Sequence, residues 1–445
     1  AVNRRTISAA LEELEAQGWV NIRPQQGCFV EESLPITKTR QWTSPTDKGR
    51  TTAHFHLPTR FDFLEYYQAP KLRPDHLIID AGYPDVRLAP LQQLSRHLNG
   101  ITRSRRLAKL FNYSNNFTGD PQLRQTVCDY LRSTRGIPLK DDNIIITRGS
   151  LMGFSLIFQA LLRTGERVIV GDPGFKVANN IIRIAGGQLQ EVPVDKDGID
   201  VAYIAKICAQ QGPPRAVFIM PHHHNPTTVS LSAQRRMHLL QLAEQYSFAI
   251  VEDDYDYDYH YASSPILPLA SSDRHGSVIY VGSLSKTVAP GLRIGFIAAP
   301  SDFIQELSRL SRFLDCHGNM ALERSVAMLY EDGEIRRHLK KSLKVYHRRR
   351  DHFCTILRQK LGAYVRFKNP EGGLAAWVSF DPSQVDIIQT RKRALEKGLQ
   401  IPKCVFKDVN GQSLNAIRMG FASLTEAEMT EAIDRLSDVI RSNQA

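Results

Sequence analysis

The stretch "VGSLSKTVAPGLRIGF", residues 281–296, decides the fold, because it ends a strand-like run in a serine-rich turn that carries Lys286. Arg293 follows seven residues later, in a segment punctuated by glycine and proline that is not typical of a helix. A lysine at the end of a buried strand is desolvated, which lowers its pKa and makes its amine nucleophilic enough to form a Schiff base. The stretch therefore predicts a reactive amine at a strand end.

On both sides of this stretch, from about residue 75 onward, short apolar segments alternate with amphipathic ones. The segment "AQRRMHLLQLAEQY" (233–246) is typical of a helix. The strand-like segments are "NIIIT" (143–147), "RVIVGD" (167–172), "AVFIMP" (216–221), "FAIVEDD" (248–254) and "SVIYVGS" (277–283). Such an alternation predicts an α/β fold with a largely parallel sheet covered on both faces, in which ligands bind at the carboxyl ends of the strands.

The first strand ends carry residues that are ambiguous when taken singly. The turn at Gly149 and Ser150 opens a helix and exposes backbone N–H groups that suit a phosphate, although many such turns contain these residues. Phe175 follows the next strand, where a simple packing role is the alternative. Asn225 follows three adjacent histidines, which cannot all face one site, so we predict no metal centre there. Ordinary turn chemistry before Pro226 is the alternative reading of Asn225.

The later strand ends complete a set of complementary groups. Asp253 and Tyr255 follow a strand in an acidic and aromatic run, for which a solvated edge is the alternative. An aldehyde cofactor with a phosphate tail needs a cationic clamp, a carboxylate that keeps its ring nitrogen protonated, donors to its phenolic oxygen and an aromatic neighbour. The candidates for the clamp are Arg293 with Ser283, Ser285 and Ser150, and the candidate carboxylate is Asp253. Asn225 and Tyr255 are the candidate donors, and Phe175 is the candidate aromatic neighbour.

The motifs "DPGF", "HNPT", "EDDYD" and "GSLSK…GLRIG" resemble those of the fold type I, aspartate-aminotransferase-like enzymes that use pyridoxal 5′-phosphate (PLP), over about residues 75–440. The resemblance implies that Lys286 carries the cofactor, and it implies the same roles for the residues just named. It also implies that Tyr113 reaches the phosphate of a neighbouring subunit and that Arg418 holds the α-carboxylate of an amino acid. For Arg418 a surface arginine on a strand is the alternative.

Two positions depart from the family pattern. Thr228 stands where many of these enzymes have glycine. Leu151 and Met152 replace polar residues after the Gly-Ser turn, but backbone N–H groups do not depend on the side chain, so Leu151 remains a predicted phosphate contact.

The first 32 residues indicate a different activity. The segment "NRRTISAALEELEAQGW" (3–19) is an amphipathic helix with Asn3 as its predicted N-cap, and "WVNIRPQQGCFVEE" (19–32) contains two short strands. This pair resembles the second half of a GntR-type winged helix-turn-helix, so the chain is expected to begin inside that motif. The resemblance implies that Asn3, Arg4, Arg5, Thr6 and Arg23 contact duplex DNA. A helix and hairpin that merely decorate an enzyme are the alternative.

A winged helix, a linker and an aminotransferase-like domain in this order resemble the MocR/GabR-type bacterial regulators. The expected organisation is a partial DNA-binding domain (1–32), a linker (33–74) and a PLP-binding region (75–445), with a large domain at about 105–325 and a small domain from 75–104 plus 326–445. The resemblance implies a homodimeric transcription factor, nucleoid-associated when bound to DNA, whose sensor recognises an amine, an amino acid or PLP itself. A catalytic aminotransferase is the alternative, because the residue set for transamination is present.

Composition permits this interpretation without requiring it. The formal net charge of +11 is spread along 445 residues, which allows an acidic partner such as DNA. The six cysteines are scattered without a C-x-x-C pair and are read as reduced thiols of a cytosolic protein. No apolar run is long enough to span a membrane.

Overall fold

The computed structural model describes residues 3–32, 64, 73, 75–113, 115–261, 266–403, 406 and 413–442. Contacts divide the chain into two compact units, Ala1–Asp62 and Phe63–Ala445. The linker predicted over 33–74 lies almost entirely outside the described residues, as does Cys404. Within the described residues, no helix combines the length and the apolar character that crossing a membrane requires.

The first unit contains the predicted helix and hairpin. Helix α1 spans Arg4–Ala16, and the side chain of Asn3 caps it by accepting a hydrogen bond from the backbone N–H of Arg5 at 3.0 Å. Strands β1 (Val20–Arg23) and β2 (Gly27–Val30) pair antiparallel. The turn between them contains Gln25 with a φ of 66° and leads into Gly27, whose φ of 114° costs a residue without a Cβ little.

The strands of the second unit lie in three sheets. In chain order they are β3 (Leu77–Ile78), β4 (Ile144–Thr147), β5 (Arg167–Asp172), β6 (Gln188–Asp195), β7 (Gly198–Ile199), β8 (Ala216–Ile219), β9 (Ala249–Asp254), β10 (Val278–Ser283), β11 (Gly295–Ala298), β12 (Val365–Arg366), β13 (Ala375–Phe380), β14 (Leu399–Gln400) and β15 (Ala416–Gly420). The five predicted strand segments thus became β4, β5, β8, β9 and β10.

Helices cover these sheets. They are α2 (Leu91–Arg103), α3 (Pro121–Arg135), α4 (Ser150–Leu161), α5 (Lys176–Ile184), α6 (Val201–Gln211), α7 (Ala233–Tyr246), α8 (Leu284–Thr287), α9 (Ser301–Leu314), α10 (Met320–Glu331), α11 (Glu334–Leu361), α12 (Ile387–Glu396) and α13 (Glu426–Arg441). Helix α7 has the predicted bounds, because Ser232 caps its start and Ser247 ends it in the left-handed conformation.

The large sheet has eight strands in the order β4-β11-β10-β9-β8-β5-β6-β7. The pairs from β10 through β9, β8 and β5 to β6 are parallel, whereas β11 runs antiparallel to both of its neighbours. The central strands are buried along most of their length, as expected for a sheet covered on both faces. The carboxyl ends of β4, β5, β8, β9 and β10 therefore meet at one edge.

A smaller antiparallel sheet, β12-β13-β15, and the parallel pair β14-β3 belong to a separate core near the C-terminus. Ile79 packs in that core, but Leu94 and Val326 pack in a core of the large sheet. Helix α11 joins the two, because Ile335 lies in the first core and Tyr346 in the second. The two cores therefore adjoin along α11, and the large- and small-domain bounds expected from the sequence stay a prediction.

Candidate functional site

Lys286 lies on the one-turn helix α8, directly after β10, and its amine reaches across to the segment that follows β3. The Nζ atom donates a hydrogen bond to the carbonyl oxygen of Gly82 at 2.7 Å, and it lies 4.3 Å from the centre of the Tyr83 ring. Burial lowers the pKa of Lys286 to about 8, because the ammonium is poorly solvated, although the nearby Asp80 carboxylate works in the opposite direction. A substantial fraction of the amine is thus neutral near physiological pH.

The carbonyl that meets Lys286 is held in place by Asp80. One carboxylate oxygen of Asp80 accepts hydrogen bonds from the backbone N–H groups of Gly82 (2.6 Å) and Tyr83 (2.7 Å). Gly82 adopts a φ of +100°, and a Cβ there would lie 3.0 Å from the Cβ of Ala375. Sequence reasoning missed Asp80, Gly82 and Tyr83; the only local signal was an Asp and a Gly after the apolar run "HLIID".

Asp253 lies near the end of β9 and is only 2% exposed. Among the described residues, its Oδ1 atom has no hydrogen-bond partner. Burial raises the pKa of Asp253 well above its ordinary value, and the neighbouring Asp254 and Asp256 raise it further. An unpaired buried carboxyl group is costly in the folded state, so its presence favours a site built for a cationic or N–H-bearing group.

Each of the two neighbouring carboxylates already has a partner, which for Asp256 is Nδ1 of His223 at 2.8 Å. Asp254 accepts a hydrogen bond from the Tyr280 hydroxyl at 2.7 Å and lies 3.4 Å from Nδ1 of His222. Burial works against ionisation of Asp254, but His222 and Tyr280 help to hold its pKa at about 2. Since Asp254 and Asp256 are also buried, the solvated edge considered from the sequence is wrong for this run.

Tyr255 and Arg418 lie against each other. The Tyr255 hydroxyl donates to the carbonyl of His223 at 2.5 Å and accepts from Nη2 of Arg418 at 2.9 Å. Nε of Arg418 donates to the carbonyl of Ala81 at 3.0 Å. Arg418 is only 4% exposed, and no carboxylate among the described residues forms an ion pair with it. A surface arginine is therefore excluded, and the guanidinium can accept an anionic ligand.

Arg293 meets the Gly149–Ser150 turn, as its predicted role requires. Nη2 of Arg293 donates to the carbonyl of Arg148 at 3.0 Å. Gly149 has a φ of +78°, and a Cβ there would lie 2.5 Å from Nη2 of Arg293. Ser150 is the first residue of α4, so its N–H and that of Leu151 belong to the free N-terminal turn. This cluster offers donors and positive charge to a phosphate.

The serines beside Lys286 lie next to the same cluster. Ser283 ends β10 opposite Gly295, and a Cβ on Gly295 would lie 2.8 Å from the backbone of Gly149. The Ser283 hydroxyl accepts from the N–H of Ser285 at 3.2 Å. The Ser285 hydroxyl is buried without a partner among the described residues. The strand ends therefore bring Ser283, Arg293 and the α4 N-terminus together.

Asn225 and Phe175 lie on adjacent loops, but their side chains show no contact that assigns a role. The loops are joined by a 2.9 Å contact between Nε2 of His224 and the carbonyl of Pro173. Thr228, which departs from the family pattern, adopts a φ of 61°, which explains why glycine suits that position. Tyr113 is 94% exposed and makes an edge contact with His317, not with the Lys286 cluster.

The predicted DNA-contacting residues are all accessible in the first unit. Asn3, Arg4, Arg5 and Thr6 are exposed at the start of α1. Arg23 ends β1, and its guanidinium lies 5.2 Å from the centre of the Phe29 ring. The positive end of a helix and two arginines thus point to an anionic partner for this end of α1.

The described residues fit PLP in three separate places. An unpaired buried carboxyl group at Asp253 suits a pyridine nitrogen, an unpaired hydroxyl and a glycine-lined cradle beside Arg293 suit a phosphate, and an amine of lowered pKa suits the aldehyde.

Comparison with known proteins identifies the family of the chain. The model of the class I and II aminotransferase family matches residues 95–436. The probable rhizopine catabolism regulatory protein MocR of Rhizobium meliloti is 25% identical over 98% of this chain and 86% of its own length. Aromatic-amino-acid aminotransferase 1 of Thermococcus litoralis is 30% identical over 73% of this chain and 78% of its own. These matches confirm the predicted resemblance to MocR-type regulators that carry an aminotransferase-like domain.

A solved structure confirms the fold prediction. Kynurenine aminotransferase of Pyrococcus horikoshii, crystallised in complex with PMP, superimposes with a TM-score of 0.75 at 28% identity, covering 83% of this chain and 92% of its own. The fold type I assignment and, at the level of the family, the predicted pyridoxal cofactor are therefore confirmed. The roles of the individual site residues stay predictions.

Proposed function

Because the chain belongs to the class I and II aminotransferase family, we propose that it is a PLP-dependent transcriptional regulator that binds duplex DNA as a homodimer and senses an amine or amino acid. The observation that carries this proposal is similarity to a MocR regulator across 98% of the chain. The exposed Arg4 and Arg5 support it, because an aminotransferase has no need of them. We place the protein in the cytoplasm, on the nucleoid when it is bound to DNA.

The residues of the site divide the work of holding the cofactor. Arg293, Ser283, Ser285 and the α4 N-terminus at Ser150 and Leu151 would bind the phosphate. Asp253 would hold a proton at the pyridine nitrogen. Asn225 would donate to the phenolic oxygen, and Tyr255 would do so once its hydroxyl hydrogen turns away from the carbonyl of His223. When bound, PLP supplies an electrophilic carbon with which primary amines react. Phe175 would cover the ring, and Tyr113 would contact the phosphate of the partner subunit.

Lys286 makes the site responsive to other amines. Its lowered pKa lets it release and accept a proton near neutrality, and the Gly82 carbonyl can accept a hydrogen bond from its amine. An incoming primary amine would therefore compete with Lys286 for the same electrophilic carbon. If that amine carries a carboxylate, Arg418 can bind it through two N–H groups.

Effector binding would act on DNA through the arrangement of the two recognition helices. A ligand shifts that arrangement only by as much as it binds one arrangement better than the other. Spacing matters because a dimer must meet two half-sites at a fixed separation. The phosphate contacts of Arg4 and Arg5 should also make affinity fall steeply as salt rises.

An aminotransferase is the second candidate, favoured by the complete set of predicted transamination residues and by the 30% identity to an aromatic-amino-acid aminotransferase. The deciding experiment is a DNA-binding titration with the full-length protein. Labelled DNA from the region upstream of the protein's own gene is titrated with and without PLP and candidate amines. We expect sequence-preferring binding that an amine alters.

The variant Arg4→Ala/Arg5→Ala should weaken DNA binding and leave the PLP absorbance spectrum unchanged. Replacing two exposed arginines elsewhere, Arg105→Ala/Arg106→Ala, provides the control for charge alone. The absence of sequence-preferring binding under every condition, together with multiple-turnover amino transfer to a keto acid, would establish the enzyme instead.

A further inference from the structure

A cavity of about 720 Å³ lies beside the candidate site, between loops of the large sheet and one face of the small antiparallel sheet. The large domain contributes the β6–β7 turn and the loop 227–230, and the small domain contributes residues 366–371 and β13. We propose that this cavity is a second ligand site, separate from the Lys286 site, which binds a small organic anion with a flat apolar body, such as an aromatic acid.

The charge of the cavity wall selects an anion. Three exposed cations line it, Lys196, Arg366 and Lys368. Among the described residues, none of the three forms an ion pair, and Arg366 donates only to the backbone carbonyls of residues 362 and 365. Unpaired cations gathered on one concave wall attract an anionic ligand more strongly than they would on a flat surface.

The acidic residues of the wall do not cancel this charge. Asp195 is held by Arg235 through two parallel contacts of 2.7 Å, so its charge is already neutralised. Glu371 is the other acidic residue that lines the cavity. Three cations against the single free carboxylate of Glu371 leave an excess of two positive charges.

The small sheet supplies the apolar wall. Side chains alternate along β13, so Trp377 and Ser379 share the face that lines the cavity, while Val378 and Phe380 point into the core and are buried. The Trp377 ring is fixed from one side by an edge contact with Phe406 at 5.4 Å. An indole that is half-buried and held in this way offers its free surface to a flat ligand.

The floor of the cavity contains a polar atom that needs a partner. The hydroxyl oxygen of Thr227 is buried without a hydrogen bond among the described residues. His223, which also lines the cavity, is 5% exposed, and its Nδ1 is committed to Asp256 at 2.8 Å. Since buried hydroxyl groups are nearly always hydrogen-bonded, a ligand oxygen or nitrogen would gain a partner if the Thr227 side chain turned toward the cavity.

The cavity touches the surroundings of Arg418 from two directions. Trp377 lies directly opposite Arg418 in the β13–β15 pairing. Pro226 directly precedes the loop 227–230, and its carbonyl accepts a hydrogen bond from Nη1 of Arg418 at 3.5 Å. An occupant that moves either Trp377 or this loop would therefore change how Arg418 binds the effector carboxylate. The second site would act as a modulator of the first.

The test measures binding of phenyl phosphate to the PLP-loaded, borohydride-reduced protein by calorimetry, so that fixed cofactor blocks the Lys286 site. The double variant Lys196→Glu/Lys368→Glu should weaken binding by about tenfold or more. Lys206→Glu, an exposed lysine on α6 outside the cavity wall, is the matched control and should bind as the unmodified protein does. Trp377→Leu should weaken phenyl phosphate more than inorganic phosphate.

The outcomes separate clearly. The same affinity in the double variant and in the control would overturn the proposal, as would no binding to the unmodified protein. If Arg418→Ala lost phenyl phosphate binding while the double variant kept it, the ligand would lie at the Lys286 site. That result would also overturn the proposal. None of these results depends on DNA binding, so the proposed regulatory function stands or falls separately.

Discussion

Replacing Asp253 by asparagine tests whether its unpaired carboxyl group is kept for a pyridine nitrogen. The substitution preserves shape and removes the charge. In the cofactor-free protein, the pKa of Asp253 is raised above its ordinary value of 3.8, mainly by burial. Between that value and the raised one, the folded state binds a proton that the unfolded state has lost, so stability falls by about 1.4 kcal/mol per pH unit as pH rises. Asp253→Asn removes this dependence.

The same substitution should weaken the binding of PLP, although it relieves the cofactor-free protein of a destabilising group. With PLP present, the asparagine variant loses a hydrogen bond between charged groups, which contributes about 1.5–3 kcal/mol. PLP affinity should therefore fall by roughly 10- to 150-fold, while the phosphate cluster still retains some cofactor. Thermal unfolding with and without PLP, recorded from pH 5 to pH 8, measures both effects in one series.

Glu252→Gln is the matched control on the same strand. Burial raises the pKa of Glu252 to about 7, but its carboxylate accepts hydrogen bonds from the backbone N–H groups of Leu269 (2.8 Å) and Ala270 (2.9 Å), away from the site. This variant should alter the pH profile without changing PLP affinity. A pH profile of Asp253→Asn parallel to that of the unmodified protein, with equal stabilisation by PLP, would refute the reasoning.

The remaining predictions concern single contacts. Lys286→Ala should leave no PLP covalently attached after borohydride reduction, and mass spectrometry of the peptides measures this. If the level of attached PLP were unchanged, a different lysine would carry the cofactor. Arg418→Lys should weaken amino-acid effectors by about tenfold or more and spare amines without a carboxylate, in spectral titrations, because it loses two-pronged binding; equal weakening of both classes contradicts the assigned role. Gly149→Ala should lower PLP affinity in equilibrium dialysis, since its Cβ would lie 2.5 Å from Nη2 of Arg293. Gly100→Ala, where nothing lies within 4 Å, is the control, and equal affinity in both variants would exclude the clash.

Local patterns predicted the fold well because the relevant signals are local. The apolar runs that became β4, β5, β8, β9 and β10 are bounded by turn residues, and α7 is bounded by two serines. The order of motifs along the chain then indicated which strand ends carry functional groups, and the comparisons confirmed the family and its cofactor. Parallel strands place those ends at one edge whatever the loops between them contain.

Contacts between distant segments were beyond such reasoning. Gly82 and Lys286 are 204 residues apart, and neither the Asp80 turn nor its glycine belongs to a recognisable motif. Burial was misjudged for the same reason: composition alone cannot tell a solvated acidic run from one in which partners such as His222 and His223 arrive from a neighbouring strand end. The cavity beside Trp377 likewise depends on two domains that only the folded chain brings together.

The helix that joins the two cores, α11, is long enough for a small tilt at one end to move the other end by several ångströms. At 28 residues, α11 is about 42 Å long. Its N-terminal end packs through Ile335 in a core of the large sheet, and the part from Tyr346 onward packs in the core of the small sheet. A tilt of about 5° at the Ile335 end would displace the C-terminal end of α11 by about 4 Å, which is more than the length of a hydrogen bond. A slight repacking where α10 meets α11 would therefore be felt at α13, which packs along α11 in the second core.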